Sequence, residues 1–225
     1  SANQLLPGQD LRVGVDLIAD KKGGALIVIG STPKLDKISS GGIILSDCKY
    51  SPEMLSELSK MDGAIVVDES VTKILKANVH LNPSDTIATT QTGTRHRTAE
   101  RTSVVTGLTV IAVSEETSLI KVFENLKTKE LEESSAILGR VNESLQSVDR
   151  MRRRFDDAVT TLGELEIENT LTNQEVLEVI QRGELLTRLA NQVKKEAFKL
   201  GEDSGLIMIQ IDSLESGVLN TLNLV

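Results

Sequence analysis

The chain has 225 residues, 39% hydrophobic and 26% charged, enough to bury a sizeable core and too apolar for a disordered polymer. A formal net charge of −8 and only 2% aromatic residues argue against an extended nucleic-acid surface, which needs a basic face or stacking platforms. The single Cys48 cannot form an intrachain disulfide and fits a reducing, cytoplasmic setting, and no apolar run reaches membrane-spanning length.

The first part of the chain reads as α/β. Leu11 to Ala19 has the pattern of a short helix. Ala25-Leu26-Ile27-Val28-Ile29 is a continuous apolar run bounded by glycines, the signature of a strand covered on both faces. Ile43 to Leu45, after Gly41-Gly42, predicts another strand. Ser51-Pro52 predicts a helix start, with Ser as N-cap and Pro at the first helical position, and an apolar face of Met54, Leu55 and Leu58. Ala64 to Val67 and Ile74 to Leu81 read as strands, the second ended by Asn82-Pro83. A polar loop from Leu81 to Gly93 feeds a helix containing Thr98-Ala99-Glu100-Arg101-Thr102, followed by strands over Thr109–Val113 and Leu119–Phe123.

The composition then changes. From about Leu131 the apolar residues Ile137, Val141, Leu145, Val148, Phe155, Val159 and Leu162 recur at helical spacing. Thr172-Asn173-Gln174-Glu175 is a capping-box signature opening a second helix through Val179, Ile180, Leu186 and Leu189, ended near Gly201. Arg150, Arg152, Arg153 and Arg154 cluster on the first of these helices among acidic residues, which favours a solvated face over a phosphate patch. These patterns divide the chain into residues 1–130 and 131–225.

Two segments carry chemistry. Gly93-Thr94-Arg95-His96-Arg97-Thr98 places two arginines at a helix start, where the helix dipole is already positive. That arrangement calls for a negative ligand, and free N–H groups with guanidinium forks suit a phosphate chain; the alternative is a surface turn of solvated charges. Asp62-Gly63 before a strand is either a plain turn or a carboxylate that can hold Mg²⁺ or Mn²⁺ or take a hydroxyl proton, with Gly63 letting a flat ligand approach the backbone. Walker and G-x-G-x-x-G signatures are absent. His80 reads as a strand histidine with a hydrogen-bond partner, and Ser114 and Glu115 end a strand on what can be the same edge.

The pair Asp62-Gly63-Ala64 and Gly93-Thr94-Arg95-His96-Arg97-Thr98 resembles the DGA and RHR motifs of the diadenylate cyclase family. Its context, Leu58-Ser59-Lys60-Met61 before the first motif and Ala77-Asn78-Val79-His80-Leu81 between the two, is similar to the DNA-integrity-scanning branch rather than to the membrane-anchored cyclases. Leu165-Glu166-Ile167-Glu168-Asn169 and Val179-Ile180-Gln181-Arg182 resemble that branch's helical spine.

The resemblance implies a mixed central sheet flanked by helices, then an all-α spine. It implies condensation of two ATP molecules into cyclic di-AMP with release of two pyrophosphates, assisted by Mg²⁺ or Mn²⁺. Asp62, Arg95 and Arg97 would be catalytic, Asp62 also holding the metal. Gly63 and Leu81 would line adenine and ribose, and Thr94, Arg95, His96, Arg97 and Thr98 would hold phosphates. It further implies a homo-oligomer of facing dimers, up to an octamer, and DNA contact only through a C-terminal helix-hairpin-helix domain that this sequence does not contain. A ring in which each ATP both attacks and is attacked suits two half-sites across a twofold axis. The other function the residues allow is a non-catalytic ATP or cyclic di-AMP sensor, or a scaffold built on the spine.

Overall fold

In the computed structural model, which describes residues 2–224, the apolar run Ala25–Ile29 forms strand β1 with all five residues buried. The other strands are β2 (Ser39–Ser40), β3 (Ile43–Lys49), β4 (Ala64–Val67), β5 (Lys73–Leu81), β6 (Thr109–Val113), β7 (Ile120–Glu124) and β8 (Lys127–Leu131). They form one mixed sheet in the order β2-β5-β4-β1-β6-β7-β8, with β3 also paired to β5. Ile27 of β1 lies opposite Ile65 in the parallel pairing with β4 and opposite Ile111 in the antiparallel pairing with β6.

Alternate β1 side chains serve two cores, which is why the run is apolar without interruption. On one face Ile27 packs in a cluster with Leu11, Val15 and Ile18 of α1 (Asp10–Asp20) and Leu55 of α3 (Pro52–Leu58). On the other, Leu26 and Val28 pack in a cluster with Leu35 of α2 (Pro33–Ile38) and Ala99 of α4 (Thr94–Thr106). Each fully buried aliphatic side chain contributes about 1.5–3 kcal/mol relative to exposure.

Ser51 caps α3 as its position predicts, its Oγ accepting the Met54 N–H at 3.1 Å. The expected apolar face is narrower, however. Leu55 is buried while Met54 is 42% exposed, because adjacent helical residues diverge by about 100° and this short helix buries the side of Leu55. Two strands and a helix went unpredicted. β8 carries Lys127, Thr128, Lys129 and Glu130 on an exposed edge, and β2 has only two residues, so neither has an apolar signal. The short α2 is capped by Thr32, whose Oγ1 accepts the Leu35 N–H at 3.3 Å.

The chain divides into two compact units, the sheet unit ending at Glu133 and a helical unit beginning at Ser134. The helical unit comprises α5 (Ser134–Ile167), α6 (Asn173–Ala197), α7 (Gly205–Glu215) and α8 (Val218–Leu224). Ile137, Val141, Val148 and Phe155 of α5 form its core with Val179, Leu186, Ala190 and Val193 of α6 and with Ile207, Ile211 and Val218. The Thr172 N–H donates to the Glu175 carboxylate at 3.0 Å in the expected capping box. Gly201 sits at φ 59° in the 3₁₀ stretch that ends the α6 region. Two of the four clustered arginines are paired with carboxylates within the unit. Arg153 meets Asp149 at 2.6 Å, while Arg152 meets Asp156 and donates to the Leu214 and Ser216 carbonyls at 2.8 and 2.7 Å, clamping the end of α7. The mildly apolar stretch from Met208 to Leu224 lies in α7 and α8.

Candidate active site

Gly93 precedes α4 at φ 83°, a backbone conformation natural to glycine, and the helix begins at Thr94. The cap residue offers no side-chain acceptor, and the first turn contains no acidic residue. The helix therefore starts with free N–H groups and a positive dipole end, to which Arg95 adds a guanidinium. No hydrogen bond or ion pair engages that guanidinium among the described residues. His96 is buried beside it. Burial, then Lys121, then Arg95 push its imidazole below the ordinary histidine range, so it is neutral at physiological pH.

The loop that delivers this helix start is anchored by side chains. Arg101 meets the Asp85 carboxylate at 2.6 Å and donates to the Ile87 carbonyl at 3.0 Å. Lys121 on β7 donates to Gln91 Oε1 at 2.9 Å.

Asp62 and Gly63 stand immediately before β4. Gly63 has φ +91°, and a Cβ there would lie 2.8 Å from the Val79 carbonyl oxygen, 2.9 Å from the Asn78 carbonyl carbon and 3.0 Å from the Val79 nitrogen. The close approach that this glycine permits is thus first of all that of β5, whose backbone bulges there with Asn78 at φ 52°.

Asp62, Gly63, Leu81, Thr94, Arg95, His96 and Thr98 line one cavity of about 1080 Å³ at the end of the sheet. That volume lies just above the range of small-molecule and cofactor sites, about 300–1,000 Å³. Ser114, Glu115, His80, Lys21, Lys60 and Lys121 also face it. His80 is exposed on this cavity, and no described hydrogen bond involves its imidazole, in contrast to the partnered strand histidine expected.

The family model for the DisA bacterial checkpoint controller nucleotide-binding region matches residues 12–128, and that for the DisA linker region matches residues 131–225. The chain belongs to the DisA family. It is 44% identical over 214 residues to the DNA integrity scanning protein DisA of Kineococcus radiotolerans, covering 95% of this chain and 59% of that protein. The DisA proteins of Acidothermus cellulolyticus and Clostridium kluyveri are 41% and 38% identical, each over 95% of this chain and over 58% and 60% of their own lengths. The chain thus spans somewhat less than two thirds of these DisA relatives. Two solved structures are similar over about half of it. One is a hypothetical membrane spanning protein from Bacillus cereus (24% identity, TM-score 0.48, 54% of this chain and 61% of that one). The other is DacA from Staphylococcus aureus (33% identity, TM-score 0.45, 53% and 83%). No helix among the described residues is long and apolar enough to cross a membrane.

Within this DisA-family site the two motif arginines part company. Arg97 is exposed and does not line the cavity. Thr94 and Arg95 precede Thr98 by four and three positions and share its side of the helix, which Arg97, adjacent to Thr98, does not. Sequence reasoning also passed over residues with no motif to mark them. Gly24 reads only as a strand boundary, and Lys121 only as a polar residue on an alternating strand, yet both line the cavity.

Proposed function

We propose that the chain is a diadenylate cyclase half-site that joins two ATP molecules when it faces a second subunit. The 3′-hydroxyl oxygen of one ATP attacks the α-phosphorus of the other, and pyrophosphate leaves. The reciprocal attack closes the ring, giving cyclic di-AMP and two pyrophosphates. The observation that carries this reading is that the Asp62 carboxylate and the uncapped, arginine-bearing start of α4 face the same cavity.

In this reading Thr94, Arg95 and Thr98 hold the phosphates with the first-turn N–H groups, and neutral His96 donates one further hydrogen bond without adding charge. Gly63 and Leu81 border the nucleoside. Asp62 accepts the hydrogen bond of the attacking hydroxyl and directs its oxygen. Arg97 belongs to the reaction through a nucleotide reached from outside this cavity. One phosphate-holding helix start serves one nucleotide, so a second copy is needed to bring two into line.

The donor set fits Mg²⁺ or Mn²⁺ held in part by substrate. Asp62 offers a single exposed carboxylate, and the described residues form no cluster of three or more His, Cys, Asp or Glu side chains. Mg²⁺ characteristically takes one or two carboxylates together with substrate phosphates. Such an ion, when bound, neutralises phosphate charge during transfer. The proposal extends to facing dimers joined into an octamer through the helical unit, where Phe198 and Ile209 are 74% and 67% exposed. It assigns any DNA contact to the part of the relatives' length that this chain does not span.

The test is incubation with ATP and Mn²⁺ followed by chromatography. Cyclic di-AMP should form, and Asp62→Asn should abolish it while ATP still binds. Binding without product in the unaltered chain would favour a sensor, and undiminished turnover in Asp62→Asn would refute the assignment of Asp62.

A further inference from the structure

We infer that Gly24 is a positioning residue for the phosphate site, because its missing side chain is what lets the Arg95 guanidinium lie where it does. This rests on the reading of Arg95 as a phosphate-holding residue. Gly24 ends the turn between α1 and β1 and lines the same cavity as Arg95. Its φ lies outside the left-handed region, so backbone conformation does not demand a glycine. Space does. A Cβ on residue 24 would fall on the guanidinium fork, 2.5 Å from Cζ, 2.6 Å from Nη2 and closer still to Nη1.

The nature of these neighbours decides the consequence. At Gly63 the obstructing atoms are backbone, which cannot move without disturbing β5. At Gly24 they are the far end of one flexible side chain, which can swing away at little cost to the fold. Because no carboxylate or carbonyl among the described residues holds the guanidinium, no described group of the protein draws it back once displaced. A methyl group at residue 24 therefore removes Arg95 from the cavity while leaving Arg95 in the chain.

The experiment measures binding of 3′-deoxy-ATP, which cannot be joined to a second nucleotide, and of adenosine, in the presence of Mg²⁺. Gly24→Ala, Arg95→Ala and the double variant are compared with the unaltered chain. Gly24→Ala should weaken 3′-deoxy-ATP binding roughly tenfold or more, the scale of a lost charge-assisted hydrogen bond. Adenosine binding should be unchanged, and the double variant should bind no more weakly than Arg95→Ala alone. Unchanged 3′-deoxy-ATP affinity in Gly24→Ala beside a weakened Arg95→Ala overturns this inference alone, as do multiplicative losses in the double variant. Full affinity in Arg95→Ala overturns the phosphate role of Arg95 and this inference with it. If Gly24→Ala melts several degrees lower, restoration of melting in the Arg95→Ala background supports the overlap, and a persistent deficit overturns it.

Discussion

Replacing Gly63 by alanine isolates what that glycine does. Two costs combine. A non-glycine residue at φ +91° bears backbone strain of about 1–3 kcal/mol. The new Cβ also meets three β5 backbone atoms at 2.8–3.0 Å, an overpacking that costs about 1–3 kcal/mol more because the strand itself must shift. The sum, about 2–6 kcal/mol, is a large share of the roughly 5–15 kcal/mol that stabilises a typical domain. At roughly 3–5 °C per kcal/mol for a unit of this size, the sheet unit should melt about 6–30 °C lower. Gly93→Ala supplies the internal control, since Gly93 also has positive φ, at +83°, but a Cβ there meets nothing within 4 Å. Its loss should reflect strain alone, about 1–3 kcal/mol. Differential scanning calorimetry of the two variants decides. Equal losses would show that the contact with β5 is unimportant and would return Gly63 to a role defined only by its ligand.

Two further outcomes follow from the cavity. His96 has a folded-state affinity for protons below that of the unfolded chain, whose histidine titrates near 6.5. Above that pH both states are neutral and nothing changes; below it the unfolded chain takes the proton first, so the sheet unit should lose stability as the pH falls towards the folded-state value. Urea midpoints at pH 7.5 and 5.5 should differ more for the unaltered chain than for His96→Gln, and identical differences would rule the histidine out. Arg95→Ala should weaken triphosphate binding by roughly 10–150-fold, and Arg97→Ala by clearly less, because only Arg95 lines the cavity. Equal losses by calorimetric titration would place both arginines on one bound nucleotide.

Much of the site was legible because its signals are local. Arginines at a glycine-preceded helix start are electrostatically out of place without an anion, and that can be read from six consecutive residues. The direction of each side chain was less legible: Arg95 and Arg97 look equivalent as letters, and only the helical turn sends one into the cavity and the other to solvent. The edge strand β8 is not legible because four of its five residues are exposed and polar, leaving Leu131 alone to mark a buried side.

Local physics in the chain alone determined the five-residue core strand, the Ser51 cap, the capping box at Thr172 and the long amphipathic stripe from Ile137 to Leu162. Each of these depends on neighbours within a few positions. The tertiary structure decided which distant segments meet: β5 backbone filling the space beside Gly63, and the Arg95 guanidinium lying over Gly24, 71 positions earlier in the chain. A glycine records only that a side chain is absent, and what occupies the vacated space is set by how the sheet brings separate segments to one edge.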